Sequence, residues 1–197
     1  VLTAQNGTLS TTRLTDYARV ILALSAIGRN PADAAGYNLL APLGDEDAVT
    51  RQGVNGVIYA LIALDSGNYT LPDGSSASRD GYVSKLLSLQ LDNGGWALTG
   101  SAADPDLTAM ALQALAPYRS ANTQVQRAVE RGIAALSALQ NSNGGFTAWG
   151  AEGSESTAQA IIALNALGLK MDDSRFVKNG HTLTDNLLSF RQSNGGF

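Results

Sequence analysis

Asp104-Pro105-Asp106-Leu107-Thr108-Ala109-Met110-Ala111 sets two carboxylates two residues apart at the head of an apolar run. Such a pair suits proton transfer. Burial and a like-charged neighbour both raise a carboxyl pKa, so one acid can stay protonated near neutrality and deliver its proton. The same residues also suit a helix start: Asp104 as N-cap, Pro105 at the first helical position, and Asp106 in the first turn, favoured by the helix dipole. On either reading Asp104, Asp106 and Thr108 are the polar candidates for facing a ligand. Trp149, near Phe146, is a candidate for the rim of a ligand mouth, and Tyr59 and Tyr17 for a central cavity, with aromatic core packing as the alternative for each.

Other chemistries lack their residues. The chain has no Cys and one His, His181, in an Asn-Gly-His-Thr turn. A catalytic zinc takes about three protein ligands, so no metal site is expected. Asp92, Asn93, Asn141 and Asn143 offer oxygens without the alternating acid spacing of a calcium loop. The Gly-Gly pairs follow helical patterns instead of joining a strand to a helix, so no phosphate-cradling loop and no cofactor are expected. With 13 basic against 17 acidic residues, a net charge of −4 and no basic run, neither nucleic acid nor an anionic membrane surface is an expected partner. No apolar run approaches the roughly 18 residues of a membrane span. The 197 residues are read as one domain, 1–197, which starts at Val1 and stops inside a motif at Phe197, as a fragment of a longer protein would.

The elements that must position these residues are announced by a phrase spoken three times. Leu89-Gln90-Leu91-Asp92-Asn93-Gly94-Gly95-Trp96 returns as Leu139-Gln140-Asn141-Ser142-Asn143-Gly144-Gly145-Phe146. It returns again, altered, as Phe190-Arg191-Gln192-Ser193-Asn194-Gly195-Gly196-Phe197, and the second Gly recurs after 50 and then 51 residues. A fixed period of that length marks stacked supersecondary units that cannot bury their apolar faces alone. Asn-Gly-Gly permits positive φ and a sharp helix end. The aromatic (Trp96, Phe146, Phe197) then plugs an apolar gap, and Gln90 and Gln140 serve backbone groups that a nearby helix start leaves unpaired. Gly95, Gly145 and Gly196 complete this structural set.

Between the phrases, spacing predicts apolar helices over 17–27, 55–64, 107–115 and 155–167, and amphipathic ones over 79–91, 123–140 and 182–191. Thr15-Asp16 and Ser154 are expected caps, and Gly28 a stop. Asn30-Pro31 opens a further helical element over 32–40, Asp45-Glu46-Asp47 begins a polar connection, 65–78 is a loop, and Asn179-Gly180 is a turn. Apolar helices inside and amphipathic helices outside make an all-α double layer, which closes into an α/α toroid.

Gln-x-x-x-Gly-Gly-Trp/Phe resembles the Gln–Trp repeat of squalene and hopene cyclases and the related repeat of protein prenyltransferase β subunits. Arg131-Gly132 and Leu136 precede Gln140 at that repeat's spacing. The resemblance spans 17–197 and implies an α/α toroid, a partial barrel of stacked helical hairpins. Asp104 to Ala111 resembles the Asp-x-Asp-Asp-Thr-Ala motif of class II terpenoid cyclases, which would make Asp106 the acid and Asp104 its support, although Leu107 stands where that motif has its third Asp. The zinc of the prenyltransferases needs an Asp, a Cys and a His, and the thioester of complement-like toroids needs a Cys. With that chemistry missing, the chain is similar to the helical domain of intrinsic factor and transcobalamin. On Ser154-Glu155-Ser156-Thr157-Ala158-Gln159 and Asp104-Pro105-Asp106, it is also similar to bacterial secreted or surface proteins with prenyltransferase/squalene-oxidase-type repeats. The resemblance implies a non-catalytic extracellular or cell-surface module for binding or adhesion. Its partner would be a cobalamin-like or other hydrophobic small molecule, or another domain of the same longer protein. A terpenoid cyclase acting through Asp106 and a structural spacer without ligand are the alternatives.

Overall fold

Alanine-rich apolar segments punctuated by glycine turns fold into a mainly helical chain in the computed structural model, which describes residues 2–197. The α-helices are α1 (Leu14–Ala26), α2 (Glu46–Thr50), α3 (Gly53–Asp65), α4 (Arg79–Ser88), α5 (Pro105–Leu115), α6 (Thr123–Leu139), α7 (Ser154–Ala166) and α8 (Leu183–Ser189). A two-stranded hairpin, β1 (Thr147–Ala148) and β2 (Ala151–Glu152), lies between α6 and α7. None of the described helices is long and apolar enough to cross a membrane. The chain divides into two compact units, Val1–Ser88 and Leu89–Phe197.

In the first unit α3 packs on α1, α2 and α4. It carries no charge before Asp65 and buries Val57, Ile58, Leu61 and Leu64 completely. Small residues set the approach: a Cβ on Gly56 would collide with the Val49 carbonyl oxygen of α2. Tyr82 of α4 is fully buried, and its hydroxyl donates to the Leu43 carbonyl at 2.6 Å. Burial, with the negative potential of Glu46 and Asp45, pushes that hydroxyl far above the usual tyrosine range. Arg79 opens α4 by pairing with Asp65 at 2.8 Å and donating to the Leu64 carbonyl at 2.9 Å, which closes off the end of α3.

Several expectations are corrected here. Helix α1 begins at Leu14 with Arg13 in the cap position, so Thr15 and Asp16 lie inside its first turn, where Asp16 pairs with Arg13 at 3.1 Å. It buries one stripe (Leu14, Tyr17, Ala18, Ile21) and leaves Arg19, Ala23 and Ala26 exposed, with Ile27 just past its end 70% exposed, so it is not enclosed all round. No α-helix forms over 32–40. Pro31–Asp33 makes one 3-10 turn, and Asp33 Oδ1 then accepts the Gly36 N–H at 3.2 Å. Ala35 and Gly36 take φ of 55° and 81° while Ala34 and Tyr37 exchange backbone hydrogen bonds. The local side-chain bond and the left-handed pair outcompete the helix that the alanines favour. The expected polar connection at Asp45 is instead the cap of α2, Asp45 Oδ1 accepting the Ala48 N–H at 2.9 Å. Helix α4 ends at Ser88, three residues before the expected Leu91.

In the second unit α5 packs on α6 and α7, and α7 on α8. Helix α6 is amphipathic as its sequence reads, with Val125, Val129, Ile133 and Leu136 buried and Arg127, Glu130 and Arg131 exposed. Asn122 caps it, and Thr182 with Asp185 forms a capping box on α8. Helix α7 starts at Ser154, but its cap residue is Gly153. The Ser154 hydroxyl turns to Glu155 at 3.3 Å, which corrects its expected capping role. Like α1, α7 keeps one face in water, with Ile162 45% exposed.

Candidate functional site

The three glycine phrases share one backbone geometry. In the first, Leu91 N–H donates to the Gly95 carbonyl at 2.9 Å and Gly94 N–H to the Leu91 carbonyl at 2.9 Å; Asn141 with Gly145 and Gly144 with Asn141 repeat this at 2.8 and 3.0 Å. Gln192 with Gly196 and Gly195 with Gln192 do so at 2.6 and 2.9 Å. Asn93, Asn143 and Asn194 each accept the N–H two residues on, and Gly94, Gly144 and Gly195 have φ of 90°, 86° and 87°. A side chain is strained at such φ, and a Cβ on Gly94 or Gly144 would also press on the Arg131 or Thr182 carbonyl.

The glutamines complete the clip. Gln90 Nε2 donates to the Gly94 carbonyl at 2.7 Å and to the Ala128 carbonyl at 2.8 Å. Gln140 Nε2 donates to those of Gly144 and Phe176, both at 2.9 Å. Each amide thus ties its own loop to a carbonyl well downstream, and neither serves the unpaired N–H groups of a helix start, which corrects the expected role. Trp96 and Phe146 are fully buried. Trp96 lies against Leu112 of α5 and Gly132 of α6, where an added Cβ would come within 2.9 Å of both side chains. The third copy departs from this. Arg191 replaces the glutamine, and Phe197, expected to plug an apolar gap, is 62% exposed.

A solvent-open cavity of about 300 Å³ lies between two segments in equivalent places of successive repeats. One is the loop after Trp96, contributing Leu98, Thr99 and Asp104; the other is the hairpin after Phe146, contributing Thr147, Ala148 and Trp149. The hairpin turn is Trp149-Gly150, at φ of 55° and 81°, and the indole is 83% exposed. Asp104 closes the first loop, its N–H donating to the Trp96 carbonyl at 2.8 Å. It also caps α5, Oδ1 accepting the Leu107 N–H at 2.9 Å. Its Oδ2 accepts no hydrogen bond from the described residues.

Asp106 stands one step behind, outside the cavity lining. Burial raises its carboxyl pKa, a hydrogen bond from Ser156 of α7 works against that, and the charges of Asp104 and Glu155 raise it further. Its Oδ1 is buried with no hydrogen-bond partner among the described residues.

The structure therefore brings Asp104 and Trp149 together, with Asp106 adjacent in the chain. It takes Thr108 out of reach: Thr108 is fully buried and its hydroxyl holds the Trp96 backbone, accepting its N–H at 3.0 Å and donating to its carbonyl at 3.3 Å. Tyr59 belongs to the first unit, half-buried, with the Arg19 guanidinium 5.2 Å from its ring centre. A second cavity of the first unit, about 680 Å³, is bordered by Val20, Leu24 and Ile27 and includes no expected site residue. Among the described residues no group of three or more His, Cys, Asp or Glu side chains converges as a metal site would require. Leu98, Thr99 and the hairpin strands escaped the sequence reading. The available signal was the Trp149-Gly150 pair between short runs, a two-residue turn pattern. Comparison with protein families, curated proteins and solved structures finds no match to the chain.

Proposed function

We propose that this chain is an α/α-toroid-type module of the terpenoid cyclase/prenyltransferase superfamily that binds a ligand without transforming it, at an extracellular or cell surface. The clip geometry, twice complete with Gln, Gly-Gly and a buried aromatic, supports the superfamily reading. The observation that carries the binding reading is the open cavity between consecutive post-aromatic segments, with an exposed indole at its edge and a carboxylate in its wall. A cyclase instead needs an enclosed apolar chamber with its acid facing inward.

One observation favours a cyclase: Asp106 has a raised pKa and a buried, unpaired oxygen. Against it, the Ser156 hydroxyl draws that pKa back down, Leu107 fills the third acidic place, and Asp106 borders none of the described cavities. The test is incubation of the 197-residue chain with cobalamin, squalene, prenyl diphosphates and small amines, following free ligand by equilibrium dialysis and products by mass spectrometry. Saturable binding without products, weakened by Trp149→Ala, supports the proposal. Product formation abolished by Asp106→Asn overturns it in favour of a cyclase, and the absence of any saturable ligand leaves the spacer reading.

A further inference from the structure

We propose that the cavity bordered by Trp149 and Asp104 accepts a small organic cation, an alkylated ammonium group carried on a ligand. This rests on the binding reading above and names its ligand class.

The indole is the first ground. The protein has two tryptophans; Trp96 is fully enclosed, whereas Trp149 is 83% exposed at a hairpin tip beside the cavity. An exposed indole face is the strongest side-chain partner for a cation lacking a tight water shell. The wall chemistry is the second. Beside the indole stand Ala97, Leu98, Thr99 and Ala148, which suit methyl groups, and one carboxylate, Asp104, whose Oδ2 accepts no hydrogen bond from the described residues. A metal ion would need several converging ligands, and no group of three or more His, Cys, Asp or Glu side chains converges among the described residues.

Charge is the third ground and excludes anions. The two stretches that frame the cavity, 86–118 and 138–169, contain Asp92, Asp104, Asp106, Glu152 and Glu155 and no Lys, Arg or His. Asp104 and Glu155 both add negative potential at Asp106, so these charges act on a common region. Among the described residues, the basic groups that bond into either stretch are already engaged: Arg131 with the Gln90 side chain and the Leu91 and Asp92 carbonyls, and Arg119 with Glu130 and the Leu167 carbonyl. A diphosphate or carboxylate ligand would enter against this field, and an ammonium would enter with it.

The experiment compares choline with 3,3-dimethylbutan-1-ol, which has the same shape without the charge, by ligand-observed NMR titration against the whole chain. Choline should saturate and the alcohol should bind at least about fivefold more weakly. Trp149→Ala and Asp104→Asn should each weaken choline by about fivefold, Asn being chosen because it caps a helix as well as Asp. Equal binding of choline and the alcohol overturns the cation proposal and leaves an apolar binding site standing. Choline binding untouched by both substitutions also overturns it, by placing the ammonium elsewhere. If neither compound binds, the cation proposal falls; only when cobalamin, squalene and the prenyl diphosphates fail as well does the binding reading fall with it.

Discussion

Removing the Gln140 amide should destabilise the second unit far more than removing its counterpart Gln90. Gln140 is buried, and its Nε2 serves two carbonyls, Gly144 and Phe176, that no other recorded bond satisfies. A buried carbonyl left unpaired costs about 1–3 kcal/mol, so Gln140→Ala strands groups worth about 4 kcal/mol together. Its Oε1 is itself buried without a partner, and deleting it returns about 1 kcal/mol. The net expectation is a loss of about 3 kcal/mol. Gln90 is half-buried, and one of its acceptors, Ala128 O, already takes its helical bond within α6. Gln90→Ala therefore strands one carbonyl, that of the buried Gly94, beside a half-buried side chain whose removal lets water in, for a loss of about 1 kcal/mol. Both tryptophans lie in Leu89–Phe197, so fluorescence-monitored urea unfolding reports on this unit. Equal losses in the two variants, or a loss below about 0.5 kcal/mol for Gln140→Ala, would show that the amide is not what fastens the loop to the downstream backbone.

Gly132→Ala forces a methyl against Leu112 and Trp96; overpacking of about 1–3 kcal/mol should outweigh a helix-propensity gain of about 1 kcal/mol, lowering stability and shifting Trp96 emission. Asp106 has a folded pKa above its unfolded value of 3.8, so the folded state bears a charging penalty that sets in as pH rises through 3.8 and is complete above the folded pKa. Asp106→Asn should accordingly stabilise the protein at neutral pH, with the advantage gone below pH 3.8, in urea titrations across that range. A stability gain that persists in acid would contradict this cause. Asp104→Ala should cost about 1 kcal/mol through the lost cap on α5, and Asp104→Asn only a few tenths, by the same unfolding assay.

The glycine phrases were the most legible part of the chain because their information is local. Asn-Gly-Gly dictates its own dihedral angles, and Gln90 and Gln140 sit at a fixed distance from them. The capping role of Asp104 was legible for the same reason. Exposure was not. The apolar rows of α1 and α7 read like those of α3 and α5, yet Ile27 and Ile162 are wet, because periodicity records what a helix can bury and not which neighbours it meets. The 32–40 region failed where alanine propensity, summed over a window, competes with one Asp33 side-chain bond and a left-handed Ala35-Gly36 pair. Trp149 was singled out from its type, but its place at a hairpin tip depended on strands two residues long, too short to leave a periodic trace.

The clips all reach forward along the chain. Gln90 and Gln140 find their distant acceptors 38 and 36 positions later, never earlier. A ribosome would therefore release each indole or phenyl ring well ahead of the backbone that fastens its loop, leaving one greasy group waiting at a time. Assembly would advance like a ratchet from the amino end, and a nascent chain stalled midway would bear its stickiest surface at the growing tip.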